Sequence, residues 1–342
     1  MDKIKLGKTG IMATRPAFGA LPIQRRDKKE AVEILRAAYD AGITYYDTAN
    51  MYSDSEEKLG LAFEGMRENV TIATKTGGTD KETVTKHIEN SLRMLKTDYL
   101  DLIQFHNTPK MLDLECGAWD AVREAKQKGY VRHIGATSHQ LPVAMELVER
   151  ELIETIQYPF SYLASDSEIE LVKKCAEKEI GFIAMKGLAG GFLTNAQACH
   201  AFMLEHPNVV PIWGIQHMWE LEQWIQAGNE NVRLNDELRA VIQKDRDELV
   251  GSFCRCCGYC LPCPVDIDIP QLARLNRLLR RSPWEGFYND FWKSRIDNID
   301  NCVECGDCAS RCPYGLKPYE LVKANKDDYY AYYKEMTGKE FK

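Results

Sequence analysis

Two runs of cysteine stand near the end of the chain. In "CRCCGYCLPCP", Cys254, Cys257, Cys260 and Cys263 are each separated by two residues and Pro264 follows the last. In "CVECGDCASRCPYG", Cys302, Cys305 and Cys308 keep that interval, and Cys312 follows after three residues, directly before Pro313. Three thiolates at two-residue intervals with a fourth before proline is the spacing that wraps a 4Fe-4S cube, a one-electron centre. Where two such runs share a chain, the fourth cysteine of each ligates the other cluster. The expected sets are therefore Cys254, Cys257, Cys260 and Cys312 for one cluster and Cys302, Cys305, Cys308 and Cys263 for the other, with Cys256 left over. Structural zinc is the main rival, but it draws one C-x2-C pair from each of two knuckles. Disulfides fit poorly, because Met1 to Gly10 carries no apolar signal region and a reducing cytoplasm, the expected location, keeps thiols free. Cys116, Cys175 and Cys199 stand alone and are expected to be small buried apolar residues.

A second group of reactive types recurs upstream: Asp47 with Tyr52 just beyond it, Lys75, and His106. A carbonyl becomes reducible when a proton donor meets its oxygen as hydride reaches its carbon. A free tyrosine titrates at about 10, so Tyr52 would need help to act as that acid at neutral pH. An ammonium at Lys75 would favour the tyrosinate, Asp47 would keep the lysine charged and oriented, and His106 would fix the direction of the substrate oxygen.

What must position these residues is a set of β-rich runs alternating with helical patterns. The runs are "RPAFGA" (15–20), "GITYYDTA" (42–49), "VTIATK" (70–75), "YLDLIQFH" (99–106), "VRHIGATS" (131–138), "ETIQYPF" (154–160), "IGFIAMK" (180–186) and "VVPIWGI" (209–215). Between them lie segments such as "KKEAVEILRAAYDA", whose apolar residues recur at three and four. Eight such units make an α/β protein with a (β/α)8 TIM barrel, in which chemistry belongs at the C-terminal ends of the strands, where the four residues fall. A doubly wound sheet could use the same alternation, but no strand-linked G-x-G-x-x-G is present.

Length and composition fit two domains, a barrel over 1–245 and a smaller α-helical, ferredoxin-like iron-sulfur domain over 246–342. The 342 residues are 44% hydrophobic and 28% charged, a globular composition, and no apolar run is long enough to span a membrane. A net charge of -7 argues against a nucleic-acid partner. The basic stretch "QLARLNRLLRR" is expected to be a solvated helix face, "WEGFYNDFW" to pack the tail on the barrel, and "KDDYYAYYKEMTGKEFK" to form a terminal helix.

The segment "YYDTANMYSDSEEKLGLAFEG" resembles the aldo-keto reductase signature, with an Asp, a Tyr five residues later and an acidic helix start. "TIATK" and "DLIQFH" match the places where that family puts its Lys and His, "KLGKTG" resembles its N-terminal hairpin, and "GYVRHIGATSH" its fifth strand. With the cysteine runs, the chain resembles the subgroup that carries a C-terminal ferredoxin-type domain. The resemblance implies NAD(P)H as cofactor, with Ser138 and Gln157 at the nicotinamide carboxamide. It also implies that the glycine-rich loop with Lys186, Gly187 and Gly190 wraps the pyrophosphate, and that the segment containing Gly214 meets the adenosine end. Several positions depart from the pattern. Met185 or Lys186 stands where many members stack an aromatic ring on the nicotinamide. Gln216 and His217 replace the basic residue that meets a 2'-phosphate, and Trp224 stands for an adenine-contacting Asn.

These expectations describe an oxidoreductase that reduces a carbonyl or related small molecule, with two 4Fe-4S clusters relaying electrons to or from a ferredoxin-like partner. Two alternatives stand beside it. One is a catalytically retired barrel serving as a redox sensor or electron carrier. The other is a flavin-dependent variant, in which FMN splits the electron pair and Lys186 and the neighbouring glycines hold its phosphate.

Overall fold

The computed structural model describes residues 1–108, 117–249, 253–256, 258–281, 284–312 and 314–341, the side chain of Arg281 excepted. Cys116 and Cys257 lie outside the described residues. The chain opens with an antiparallel hairpin of β1 (Asp2–Lys5) and β2 (Met12–Arg15). Eight parallel strands then close into a barrel: β3 (Ala17–Gly19), β4 (Tyr45–Asp47), β5 (Thr71–Thr76), β6 (Leu100–Phe105), β7 (Val131–Thr137), β8 (Thr155–Pro159), β9 (Gly181–Met185) and β10 (Val209–Gly214), with β10 pairing back onto β3. Each falls within one of the runs read from the sequence or extends it by a single residue.

Helices follow the strands: α1 (Lys28–Asp40), α2 (Ser55–Ala62), α3 (Lys81–Met94), α4 (Gly117–Gln127), α5 (Leu141–Glu149), α6 (Asp166–Glu177), α7 (Ala196–Leu204) and α8 (Met218–Glu230). Their starts are written locally. The Asp27 carboxylate accepts the Glu30 N–H at 2.9 Å to cap α1, and Ser165 with Glu168 forms a capping box on α6. Their buried faces follow the spacing of their apolar residues, as in α1, where Ala31, Ile34, Leu35 and Ala38 are buried. Strand β6 is buried at all six positions, as expected where a barrel is filled inside and covered by helices outside. Leu6 and Ala13, at the hairpin, pack with Ala17, Ala73, Leu102, Ile183 and Val210 in one core cluster.

The described chain divides into two compact units: residues 1–188 with 195–244, and residues 189–194 with 245–342. Helix α9 (Asp236–Glu248) spans the second boundary. In the second unit lie α10 (Ile269–Leu272), α11 (Leu275–Arg281), α12 (Asp290–Asp297), α13 (Asp307–Ser310) and α14 (Pro318–Thr337). Its core joins Ile267, Leu272, Leu275, Ile296, Ile299, Val322 and Tyr329.

The aromatic segment expected to pack the tail on the barrel makes its described contacts inside this unit. Tyr288 stacks on Tyr329 at 4.3 Å and donates to its carbonyl at 2.8 Å, while the Tyr329 hydroxyl returns a bond to the Phe287 carbonyl at 3.0 Å. The basic stretch is also tied internally. Arg280 grips Asp328 with two bonds of 2.7 Å, and Arg277 donates to the Glu248 carbonyl at 3.1 Å.

Candidate functional site

Parallel register sets Asp47 beside Ala73, Lys75 beside Gln104, and Thr137 beside Gln157, so the ends of successive strands deliver their side chains to one end of the barrel. The Lys75 ammonium donates to Asp47 Oδ1 and to the Thr48 carbonyl, both at 2.5 Å, in a pocket where lysine and carboxylate are almost wholly buried. Two amides complete the shell of the carboxylate. Gln104 Nε2 reaches Asp47 Oδ2 at 3.3 Å, Gln157 Nε2 reaches Oδ1 at 3.4 Å, and Gln104 also donates to Gln157 Oε1 at 3.0 Å. Burial pushes Asp47 up and Lys75 down from their ordinary values, and their mutual attraction opposes both shifts. The pair therefore depends on these hydrogen bonds to stay charged.

Tyr52 is half-buried just beyond β4, its ring centroid 5.3 Å from the Lys75 ammonium and 5.7 Å from the His106 ring, edge-on. His106 directly follows β6. Burial above all, then the ammonium groups of Lys75 and Lys186, pushes its pKa down to about 3, so its imidazole is neutral at physiological pH. His106 Nδ1 has no hydrogen-bond partner among the described residues. The four residues read from the strand ends thus converge.

Three neighbours escaped the sequence reading. Gln104 lies in β6, which is buried at every position and mixes Asp101 and Gln104 with apolar residues, so alternation gave no sign of which way it points. A Cβ on Gly135 would lie 3.3 Å from Gln104 Cγ and 2.1 Å from Thr155 Oγ1, so glycine on β7 leaves room for this amide. Glu56, on α2, is 3% exposed and accepts from Thr74 Oγ1 at 2.6 Å; burial raises its pKa, and Lys75 acts in opposition. Arg25 donates to Gln216 Oε1 at 3.3 Å, bringing an exposed guanidinium to a place where the local sequence offers only Gln216 and His217.

The residues expected at the cofactor are spread more widely. Ser138 is buried and donates to the Thr108 carbonyl at 2.8 Å, its own N–H bonding the Gln157 carbonyl at 3.1 Å. Gln104 Oε1 has no partner among the described residues. Lys186 follows β9 at the same barrel end. Gly187 and Gly190 each have a packing reason to lack a side chain. A Cβ on Gly187 would meet Trp213 Cζ3 at 2.5 Å, and one on Gly190 would meet the Arg255 carbonyl oxygen at 3.0 Å. Gly190 belongs to the second unit, where its carbonyl accepts from Arg274. Gly214 ends β10 with Pro22 Cγ 3.0 Å from where its Cβ would stand. Trp224 is stacked on Trp213 at 4.0 Å and buried, which removes it from an adenine-contacting role.

In the second unit, Cys260, Cys263, Cys302, Cys305 and Cys308 line one cavity. Four of them are the set expected for one cluster, and Cys260 comes from the other set. Cys254 and Cys312 are half-buried, and the Cys256 N–H donates to Cys254 Sγ at 3.4 Å. No described cysteine is in a disulfide. Among the described residues no three His, Cys, Asp or Glu side chains converge on one point as a mononuclear ion requires. A cube takes one thiolate on each of its irons, and the five cysteines that line this cavity are donors of the kind such a cluster takes.

The family model for the aldo/keto reductase family matches residues 17–198, and that for a 4Fe-4S dicluster domain matches residues 253–317. Aldo-keto reductase YhdN of Bacillus subtilis (strain 168) is 30% identical over 214 residues, covering 57% of this chain and 64% of YhdN. The chain thus spans less than two thirds of that relative. L-galactose dehydrogenase of Arabidopsis thaliana is 31% identical over 225 residues, 57% of this chain and 69% of the plant protein. Among solved structures, the holo form of aldo-keto reductase AKR11C1 from Bacillus halodurans matches with a TM-score of 0.63 at 25% identity, over 72% of this chain and 96% of that one. An aldo/keto reductase from Klebsiella pneumoniae, solved in complex with NADP and acetate, matches with a TM-score of 0.61 at 23% identity, over 71% and 94%.

Proposed function

Because this chain belongs to the aldo/keto reductase family and carries a 4Fe-4S dicluster domain, we propose that it is an oxidoreductase that reduces a carbonyl-bearing small molecule at Tyr52. The observation that carries this reading is the convergence of Tyr52, His106 and the buried Lys75–Asp47 pair at one barrel end. A reduced nicotinamide, when bound, supplies hydride to the carbonyl carbon. The chain supplies the rest. Tyr52 gives its hydroxyl proton to the carbonyl oxygen, and the Lys75 ammonium stabilises the tyrosinate left behind. Asp47, the Thr48 carbonyl, Gln104 and Gln157 keep that ammonium charged and directed. Neutral His106 can donate one hydrogen bond to the substrate oxygen without adding a charge to repel Lys75.

Ser138 and Gln157 would hold the carboxamide, and Arg25 brings a positive charge beside Gln216, which suits a 2'-phosphate. Bound at the cysteines, the 4Fe-4S clusters would supply one-electron transfer, and a ferredoxin-like protein is the partner this implies. No observation favours FMN. A retired barrel is disfavoured by the intact set of Asp47, Tyr52, Lys75 and His106, which a binding module does not need.

Tyr52→Phe tests the reading. The expected result is a fall in kcat of roughly a hundredfold or more, the usual weight of a general acid, with NADPH binding followed by fluorescence largely retained. Unchanged turnover would show that the proton comes from elsewhere. Anaerobically purified protein should carry about eight irons per chain, as two cubes require, and its absorption should bleach with dithionite; bound zinc would make the cysteine domain structural.

A further inference from the structure

Past Asp47 the ladder between β4 and β5 runs on: the Thr48 N–H bonds the Ala73 carbonyl at 2.8 Å, and the Asn50 N–H bonds the Lys75 carbonyl at 3.1 Å. Tyr52 follows in a turn, its N–H bonding the Ala49 carbonyl at 3.0 Å and its carbonyl accepting from the Ser55 N–H at 2.8 Å. The chain then enters α2, whose second residue, Glu56, is buried. The Glu56 carboxylate accepts from Thr74 Oγ1 at 2.6 Å and hydrogen-bonds the Asn50 side chain. Thr74 directly precedes Lys75 on β5. The stretch from Asn50 to Glu56 is therefore an arc with one end fastened to Lys75 and the other to Thr74, and the two ends are joined to each other. Tyr52 stands on that arc. Other bonds hold it to the chain after β3, with Ser55 Oγ donating to the Ala20 carbonyl at 3.0 Å and Ser53 Oγ to Gln24 Oε1 at 3.2 Å. Glu56 supplies the side-chain tie to β5, the strand of Lys75. The arc does not support itself, since Met51 is exposed and Ser53 takes a left-handed backbone at φ +36° that costs a serine energy. A buried carboxylate is also costly unless it is hydrogen-bonded, so the bonds to Thr74 and Asn50 are what justify one here.

We infer that Glu56 is a positioning residue which, through Thr74 and Asn50, fixes where Tyr52 stands relative to Lys75. This rests on the reading of Tyr52 as the proton donor. Without the tie, Tyr52, Lys75 and His106 are all still present, but the tyrosine hydroxyl drifts from the carbonyl oxygen. Proton transfer needs hydrogen-bond reach, so the chemical step suffers while cofactor binding does not.

The experiment joins kinetics to amide hydrogen exchange on the full-length protein, with NADPH and 4-nitrobenzaldehyde as the carbonyl probe. Glu56→Leu should lower kcat by roughly ten- to a hundredfold, the scale of a displaced catalytic group, with KM for NADPH nearly unchanged. Exchange should quicken at the Asn50, Tyr52 and Ser55 amides while β6 and β7 stay protected. Glu56→Gln, which keeps an acceptor for Thr74 and a partner for Asn50, should hold both readings near wild type. Thr74→Val cuts the same tie from β5 and should reproduce the loss, so the proposal remains open to refutation if Glu56→Leu fails to fold. In a Tyr52→Phe background the loss of Glu56 should cost little further activity, because its effect passes through the missing hydroxyl. Fully additive losses would overturn the proposal. So would unchanged exchange at the three amides, or a Glu56→Gln variant as impaired as Glu56→Leu. If exchange quickens but the probe is not reduced, or Tyr52→Phe turns it over as wild type does, the reductase reading fails while the positioning of Tyr52 by Glu56 stands.

Discussion

Gln104 carries more of the candidate site than its type suggests, since one amide nitrogen serves both the Asp47 carboxylate and Gln157. Gln104→Leu keeps the bulk but leaves two acceptors, Asp47 Oδ2 and Gln157 Oε1, without this donor, which should cost about 1–3 kcal/mol of stability. It should also lower kcat more than it raises KM, because Asp47, the counter-ion of Lys75, is held less firmly; steady-state kinetics beside thermal unfolding separates the two effects. His200 poses a different problem. It is 1% exposed, neither ring nitrogen has a described partner, and burial, helped by Arg15, pushes its pKa down to about 4. The folded protein therefore binds fewer protons than the unfolded chain between pH of about 6.5 and about 4. Stability is full above that window and falls as the pH drops through it. At roughly 1.4 kcal/mol per pH unit, His200 should account for about 2 kcal/mol of any loss between pH of about 7 and 5. His200→Leu should flatten that loss in chemical denaturation measured across the range, and an unchanged slope would assign the acid sensitivity to other groups. At this scale the sequence disclosed the reactive types, since a Tyr, a Lys, an Asp and a His at strand ends are conspicuous. It hid the Gln104 amide and the Glu56 carboxylate, because both draw their importance from partners on other elements.

Among the elements, α2 packs closely against the end of α3. A Cβ on Gly60 would come within 2.2 Å of the Met94 carbonyl oxygen at the end of α3. Gly60→Ala must push the helices apart, at a cost of about 1–3 kcal/mol. Because α2 carries Glu56, activity should fall in samples that remain folded, a split visible by comparing Tm with kcat. All eight barrel strands were legible, since short β-rich runs separated by amphipathic helices leave little freedom to a closed parallel sheet. The glycine-rich segment after β9 was legible only as a loop. Its glycines read as room for a pyrophosphate, yet Gly187 is shaped by Trp213, and Gly190 by Arg255 and Arg274. These constraints come from residues distant in the chain, which local spacing cannot reveal. The spacing of the cysteine runs, by contrast, encodes its constraint locally.

At the scale of the whole chain, residues 189–194 leave the barrel's stretch of sequence to join the cysteine-bearing unit. There Phe192 meets the ring of Phe253 at 5.4 Å and lies beneath the Arg274 guanidinium at 5.3 Å. Phe253 immediately precedes Cys254, so the anchor of this segment adjoins a residue proposed to ligate a cluster. Removing iron with a chelator under oxidising conditions should loosen 189–194 together with the cysteine runs, raising amide hydrogen exchange at Gly190 to Phe192 while the strands stay protected. Equal protection with and without iron would mean that the aromatic contacts hold the segment unaided. The arrangement also has a consequence for biosynthesis. A ribosome releases the 189–194 segment long before it makes Phe253 and Arg274, so a nascent barrel can close its strands with this segment still unanchored. Its seating awaits the last part of the chain. Maturation thus runs backwards along the sequence, with a late-made region finishing an early-made one.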